Sequence, residues 1–237
     1  MPHLALLRHG QSQWNLENRF TGWVDVDLTA AGEAQAKQSG AALLASGVPF
    51  DRLYTSVQTR AIRTGQIAIE AMGQAWLPVM KDWRLNERHY GGLTGLDKAE
   101  TVARHSGAQV KIWRRSYDVP PPPLAPGGEW DLSKDRRYVG VTIPATESLK
   151  DTLIRVTPYW ESAIAPDLRA GKNPIIAAHG NSLRAIVKLL FRVADDQITA
   201  VEIPTGNPLL LDLNAALGVS AARYLDEARA EHLPALP

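Results

Sequence analysis

His3-Leu4-Ala5-Leu6-Leu7-Arg8-His9-Gly10 is a short apolar run that ends on an arginine, a histidine and a glycine. Such a run has strand character. Pro174–Ala178 reads as another strand and leads in the same way into His179-Gly180. In open α/β sheets, sites lie beyond the carboxyl ends of the strands. Both histidines are therefore expected at one edge, where glycine lets backbone approach a ligand closely. Helix N-termini follow, near Ser12 and at Asn181-Ser182, and their free N–H groups favour an anion.

Outward from these runs, strands and helices alternate. Thr29 caps an expected helix that reaches Ser46 and stops at Gly47. Arg52–Thr55 reads as a strand, and Ser56 as the N-cap of a helix to Met72. Trp76–Met80 reads as a third strand. Two helices are expected between Asp97 and Tyr117, and a long one over Thr146–Ala170, kinked at Pro158. Ser182–Phe191 reads as a helix, with Leu209–Leu213 and Ala221–Leu225 as closing strands. The proline run at 120–123, with Pro126-Gly127-Gly128, is a loop. Alternation of this kind predicts a three-layer α/β domain with a largely parallel central sheet flanked by helices. One domain is expected over 1–237, with an inserted helical and loop region at about 88–146 and a short tail at about 226–237.

Composition narrows the function. The chain has 26 basic and 25 acidic residues, so no global charge points to nucleic acid or an anionic membrane. The charge is uneven, however. Residues 84–115 hold seven Lys/Arg and three Asp/Glu, which suits a small acidic substrate. There are no cysteines, which excludes disulfides, thiolate metal sites and cysteine nucleophiles. No secretory pattern opens the chain and no apolar run spans a bilayer, so a cytoplasmic protein is expected. No His/Asp/Glu set has metal-ligand spacing, and Asp25 with Asp27 is too sparse for a cation site.

Other residues join the two histidines. Arg60 falls in the first turn of a helix, where a cation opposes the dipole and implies an anionic neighbour. Asn86-Glu87-Arg88-His89-Tyr90-Gly91-Gly92 packs a carboxyl, a guanidinium, an imidazole and a phenol together. Arg and Tyr hold phosphate or carboxylate oxygens, and Glu87 is placed to exchange a proton with a substrate hydroxyl. Lys98, Arg114 and Arg115 add positive charge, although Arg114 and Arg115 cannot point the same way along a helix. Trp83, Trp113 and Trp160 read as packing residues. His3, His105 and His232 have no clustered partner.

These stretches together resemble the cofactor-dependent phosphoglycerate mutases of the histidine phosphatase superfamily. The similarity runs through Leu6–Asn15, Asn18–Thr29, Tyr54–Ser56 with Arg60-Ala61, Leu85–Gly91, Trp113–Arg115, Thr146–Leu149, Ala177–Ala185 and Ile203–Leu209. Arg-His-Gly marks only the superfamily; Glu-Arg-His-Tyr-Gly and Trp-Arg-Arg point to the mutases. The resemblance implies that His9 is the phosphorylated nucleophile, that Arg8, Arg60 and His179 surround the transferring phosphoryl group, and that Glu87 is the acid/base. It further implies that Gly10, Gln11, Ser12, Gln13, Trp14, Asn15, Thr21, Gly22, Arg88, His89, Tyr90, Lys98, Arg114, Arg115, Gly180 and Asn181 bind the substrate, with Arg8 and Arg60. The cofactor implied is 2,3-bisphosphoglycerate, as primer and intermediate, with no metal. A homo-oligomer, dimer or tetramer, is also implied, as is that the inserted region at about 88–146 covers the substrate.

Gln11 stands where the family often has Glu, and the 117–145 stretch looks shorter than usual. A short tail is expected to leave the site more open to water, which raises phosphatase side activity. Two other readings stay open. One is a phosphatase of the same superfamily acting on a small phosphorylated metabolite. The other is a non-catalytic binder of such metabolites.

Overall fold

The computed structural model describes residues 1–237. Its strands are β1 (His3–Arg8), β2 (Arg52–Thr55), β3 (Val79–Lys81), β4 (Pro174–Ala178), β5 (Leu209–Leu213) and β6 (Val219–Tyr224). They form one sheet in the order β3-β2-β4-β1-β5-β6. β3, β2, β4 and β1 run parallel, whereas β5 is antiparallel to β1 and β6 to β5. The helices are α1 (Gln13–Leu16), α2 (Ala30–Ala45), α3 (Thr59–Ala71), α4 (Lys98–His105), α5 (Gly107–Arg115), α6 (Leu149–Tyr159), α7 (Ala165–Arg169) and α8 (Gly180–Phe191).

Both faces of the sheet are covered, which is why β4 is apolar throughout rather than alternating. The pleat sends successive side chains to opposite faces. Leu4, Leu6, Ile176, Ala178, Leu209 and Leu211 pack with α6 and α8. Ala5, Ile175, Ala177, Leu53 and Leu210 pack on the other face, with Leu43 of α2 and Ile69 of α3. Each fully buried leucine or isoleucine contributes about 1.5–3 kcal/mol. β1 and β4 lie in register with Arg8 beside Ala178. The His9 N–H extends that ladder to the Ala178 carbonyl at 3.0 Å. This pairing delivers His9 and His179 side by side.

Several expected boundaries move. α3 starts at Thr59 after Gln58, not after Ser56, whose hydroxyl accepts the Gln58 N–H just before the helix and reaches His179 Nε2. The third strand is Val79–Lys81; Trp76 lies outside it, 72% exposed. Ser148 caps α6 by a reciprocal bond with Asp151, so that helix opens later than Thr146. After Pro158 the chain widens into a π turn over Trp160–Ile164 and then continues as α7. This turn stands where a kink was expected, since proline removes a backbone donor. α8 begins at Gly180, with the Ser182 hydroxyl accepting from the His179 N–H at 3.2 Å.

Candidate active site

His9 is buried at the end of β1. Its Nδ1–H donates to the Gly10 carbonyl at 2.7 Å. The bond fixes the tautomer and leaves Nε2 with the free lone pair. Burial, followed by the charges of Arg60 and Arg8, holds the imidazole well below its ordinary range, so the ring is neutral. Glycine is needed next to it: a Cβ on Gly10 would stand 2.3 Å from the Gly32 carbonyl oxygen.

His179 stacks edge-on against His9, with ring centroids 5.0 Å apart. Ser56 Oγ lies 2.8 Å from His179 Nε2 and accepts the Gln58 N–H at 3.1 Å. His179 Nδ1 is buried and makes no protein hydrogen bond. Burial, with Arg60 and His9, keeps this ring neutral as well.

Arg60 sits in the first turn of α3 and is almost fully buried. Its Nη1 donates to the Val24 carbonyl and Nη2 to the Gly22 carbonyl, each at 2.9 Å. The anionic neighbours implied by its place at a helix N-terminus are the carboxylates of Glu87 and Asp25. Burial lowers it to about 10, against the raising pull of Glu87. Arg8 donates to the Ile203 carbonyl at 2.7 Å, and its Nε has no partner. It runs beside Gly180, where a Cβ would meet its Cζ at 3.4 Å, an ordinary van der Waals contact.

Glu87 faces the histidines' cleft from a loop. Its Oε1 accepts the Arg88 N–H at 2.7 Å and the Asn181 N–H at 3.2 Å. Gln58 is wholly buried and fixes the Glu87 backbone, accepting its N–H at 2.8 Å while donating to the Gly22 carbonyl at 2.9 Å. Behind it, Arg155 donates to the carbonyls of Asn86 and Glu87 and pairs with Glu147, at 2.6 Å from Nε to Oε1.

The cleft has an inner and an outer part. The inner cavity, about 100 Å³, is lined by Arg8, His9, Asn15, Arg19, Phe20, Thr21, Arg60, Glu87, Tyr90, Lys98 and Arg114. The outer cavity, about 280 Å³, is lined by Arg8, Glu87, Tyr90, Arg114, Arg115, Gly180, Asn181, Arg184 and Glu202. Four residues are common to both, so the two are continuous. Tyr90 joins them; its hydroxyl accepts from Asn181 Nδ2 at 3.2 Å. Burial first, then the Arg114 and Arg8 charges, lower Lys98.

Some expected contacts line neither part. The Gln11 side chain turns to the Thr29 hydroxyl at 2.9 Å. Gln13 pairs with Glu17 at the surface. Trp14 packs edge-on against Trp130. Ser12 and Asn15 form a reciprocal cap on α1, which leaves Asn15 in the cleft and Ser12 behind it. Gly22 contributes its carbonyl to Arg60 and Gln58. Arg88 is buried beneath the cleft, where it holds the Trp113 and Arg114 carbonyls at the end of α5. His89 faces away: its Nδ1 accepts the Gly91 N–H at 3.0 Å, and it lines a separate cavity of about 380 Å³ beside Leu124 and Tyr138. Both Arg114 and Arg115 reach the outer cavity, but Arg115 is also paired with Glu202. His3, expected to stand alone, lies 2.8 Å from Asp212.

Sequence reasoning missed Ser56, Gln58, Arg19, Arg184 and Glu202. Arg184 had a signal, a cation inside the apolar run Leu183–Val187 of a buried helix. Ser56 and Gln58 had none beyond polarity, because their partners are distant in sequence. No group of three or more His, Asp or Glu side chains gathers in metal-binding geometry.

Residues 4–216 match the model of the histidine phosphatase superfamily (branch 1). A Caulobacter vibrioides protein named 2,3-bisphosphoglycerate-dependent phosphoglycerate mutase is 71% identical over 99% of both chains. A Sphingopyxis alaskensis protein of the same name is 63% identical over 96% of this chain and 100% of its own. Among solved structures, a mycobacterial glucosyl-3-phosphoglycerate phosphatase shares the fold, with a TM-score of 0.72 at 23% identity over 94% of this chain and 97% of its own.

Proposed function

The chain belongs to the histidine phosphatase superfamily, and we propose that it interconverts 3-phosphoglycerate and 2-phosphoglycerate, with 2,3-bisphosphoglycerate as primer. The observation that carries this is the two-part cleft. The inner cavity is lined by a neutral His9 with Nε2 free and by Arg8 and Arg60, with His179 buried against the His9 ring. The outer one continues past Glu87 into Arg114, Arg115 and Asn181. A phosphatase acting on water needs only the first. A mutase must also hold the other anionic end of a substrate whose hydroxyl, not water, is the acceptor. Relatives of the mutase name at 58–71% identity support the same choice.

The chemistry follows from the atoms. His9 Nε2 attacks a phosphorus of the bisphosphate, forming an N–P bond as the ester O–P bond breaks and protonated Glu87 gives its proton to the leaving oxygen. Arg8, Arg60 and the imidazole of His179 stabilise the charge spread over the phosphoryl oxygens. In the reverse half, the 2-hydroxyl of 3-phosphoglycerate attacks phospho-His9 and Glu87 takes its proton. Glu87 Oε1 is occupied by two N–H donors, so Oε2 is the oxygen for that proton. The bisphosphate turns over in the cleft and returns its 3-phosphoryl to His9, a ping-pong cycle. In this scheme guanidinium and imidazole groups do the charge work without a metal. The segment 88–146 supplies Tyr90, Lys98 and Arg114 as a cover over the substrate.

The proposal also places the enzyme in the cytoplasm, which cell fractionation tests, and as a homo-oligomer, which sedimentation reads against the 25.9 kDa protomer. The deciding assay follows 3-phosphoglycerate with and without 2,3-bisphosphoglycerate, in chelator, measuring 2-phosphoglycerate and free phosphate. Isomerisation that depends on the primer and persists in chelator is expected. Phosphate release without isomerisation would establish the phosphatase instead, and neither product would leave a binder.

A further inference from the structure

Glu202 is a carboxylate in a cavity otherwise built for anions. Of the residues lining the outer part, only Glu87 and Glu202 are acidic, against Arg8, Arg114, Arg115 and Arg184. Glu202 Oε1 is paired with Arg115 Nη1. Its backbone is firmly placed. The Tyr224 hydroxyl donates to the Glu202 carbonyl at 3.2 Å, and Arg8 donates to the next carbonyl, that of Ile203, at 2.7 Å. The Gly206 N–H then donates to the Arg8 carbonyl at 3.0 Å. Glu202 thus stands on a segment tied to the end of the strand that carries His9. Its side chain is 40% exposed, so it can leave Arg115 for solvent without breaking a buried contact. Arg184, by contrast, is buried under the cavity and fixed to Asn181 Oδ1 at 3.0 Å and the Ile198 carbonyl at 2.6 Å.

On the mutase reading above, we propose that Glu202 is a resident counter-anion for Arg115, which the outer phosphate or carboxylate of the substrate must displace. An arginine already bonded to a carboxylate offers an incoming anion only the difference between two ion pairs. The cleft therefore holds phosphorylated acids less tightly than its arginines alone would. That matters for a reaction in which a bisphosphate must turn over and a product must leave each cycle, because uniform tight binding lowers KM without raising kcat.

The test is Glu202→Gln, which keeps shape and hydrogen bonding and removes the charge. Calorimetric titration with 3-phosphoglycerate and with 2,3-bisphosphoglycerate compares it with the wild type and with Glu70→Gln. Glu70 is exposed near the carboxyl end of α3, away from the strand ends that carry the site. Kd for both ligands is expected to fall about two- to fivefold in Glu202→Gln, the worth of a partly exposed ion pair. KM should fall with it, kcat should stay level or drop, and Glu70→Gln should match the wild type. An unchanged or weaker Kd in Glu202→Gln overturns the proposal, weaker binding making Glu202 a support for Arg115. Equal tightening in both variants also overturns it, as an effect of net charge. A wild type that neither binds nor isomerises 3-phosphoglycerate defeats the mutase reading itself, and the wild-type arm shows this separately.

Discussion

Three buried imidazoles stay neutral for the same reason, and their cost appears in acid. Burial, then Arg60 and Arg8, holds His9 well below 6.5. Burial, then Arg60 and His9, does the same for His179. Burial takes His89 to about 4, against the raising charge of Glu147. In the unfolded chain each returns to its ordinary value. Below about pH 6.5 the unfolded state therefore binds more protons than the native state, and stability falls as pH falls until the native values are reached. Each histidine adds a slope of up to about 1.4 kcal/mol per pH unit in that window. Urea denaturation between about pH 7 and about pH 5 should show a falling midpoint. His89→Asn, which keeps an acceptor for the Gly91 N–H, should make the fall shallower by about one histidine's share. A midpoint that is level over this range would mean that the native protein takes up the protons freely. For His9 the same neutrality is what the proposed mechanism requires, since only an unprotonated Nε2 can attack phosphorus.

At the scale of elements, the site depends on the short connection from β2 to α3, where Ser56, Gln58 and Arg60 each hold a different partner. Ser56 reaches His179, Gln58 reaches Glu87 and Gly22, and Arg60 reaches Gly22 and Val24. Ser56→Ala removes the hydroxyl that fixes the His179 ring and also frees the Gln58 N–H. We expect kcat to fall on the order of ten- to a hundredfold, as for a displaced catalytic group, with KM within about twofold. Ser56→Thr, which restores the hydroxyl, should recover most of the rate. Full activity in Ser56→Ala would show that packing alone orients His179. The sequence reads Ser56 as a helix cap; its hydroxyl does accept a backbone N–H, that of Gln58 just before α3, but it also reaches His179, a partner that local rules do not supply. By contrast β1, β2, β4, β5 and the α2 cap at Thr29 were legible to the residue, because buried strands and side-chain caps are local signals. β3 was misplaced because it is short and mostly exposed, so no apolar pattern marks its ends.

Across the whole molecule, charge is partitioned rather than balanced. The formal net charge is +1. Yet the cleft gathers Arg8, Arg19, Arg60, Lys98, Arg114, Arg115 and Arg184 against Glu87 and Glu202, so the remainder of the chain is net acidic. Composition hides this, and a local basic excess over 84–115 hinted at only part of it, since the cations come from β1, α3, α4, α5, α8 and the loop after α1. Strand-end motifs singled out Arg8, His9 and His179 in the sequence, and the run Asn86–Gly92 singled out Glu87; Arg19, Arg184 and Glu202 were not singled out, because only folding brings their elements to the cleft. The partition has a measurable consequence. A cationic cleft in an otherwise acidic molecule attracts a phosphorylated acid over a short range, and that attraction is screened as the Debye length drops from about 30 Å at 0.01 M to about 10 Å at 0.1 M ionic strength. Over this range KM for 3-phosphoglycerate should rise severalfold, because the outer cavity is open to solvent and its ion pairs are screened. The inner cavity is different: His9, His179 and Arg60 are buried, so their mutual charges are poorly screened. kcat should therefore change by less than about twofold over the same range. A kcat that falls in step with rising KM would mean that bulk ions reach the phosphoryl centre, and that the two parts of the cleft are electrostatically one.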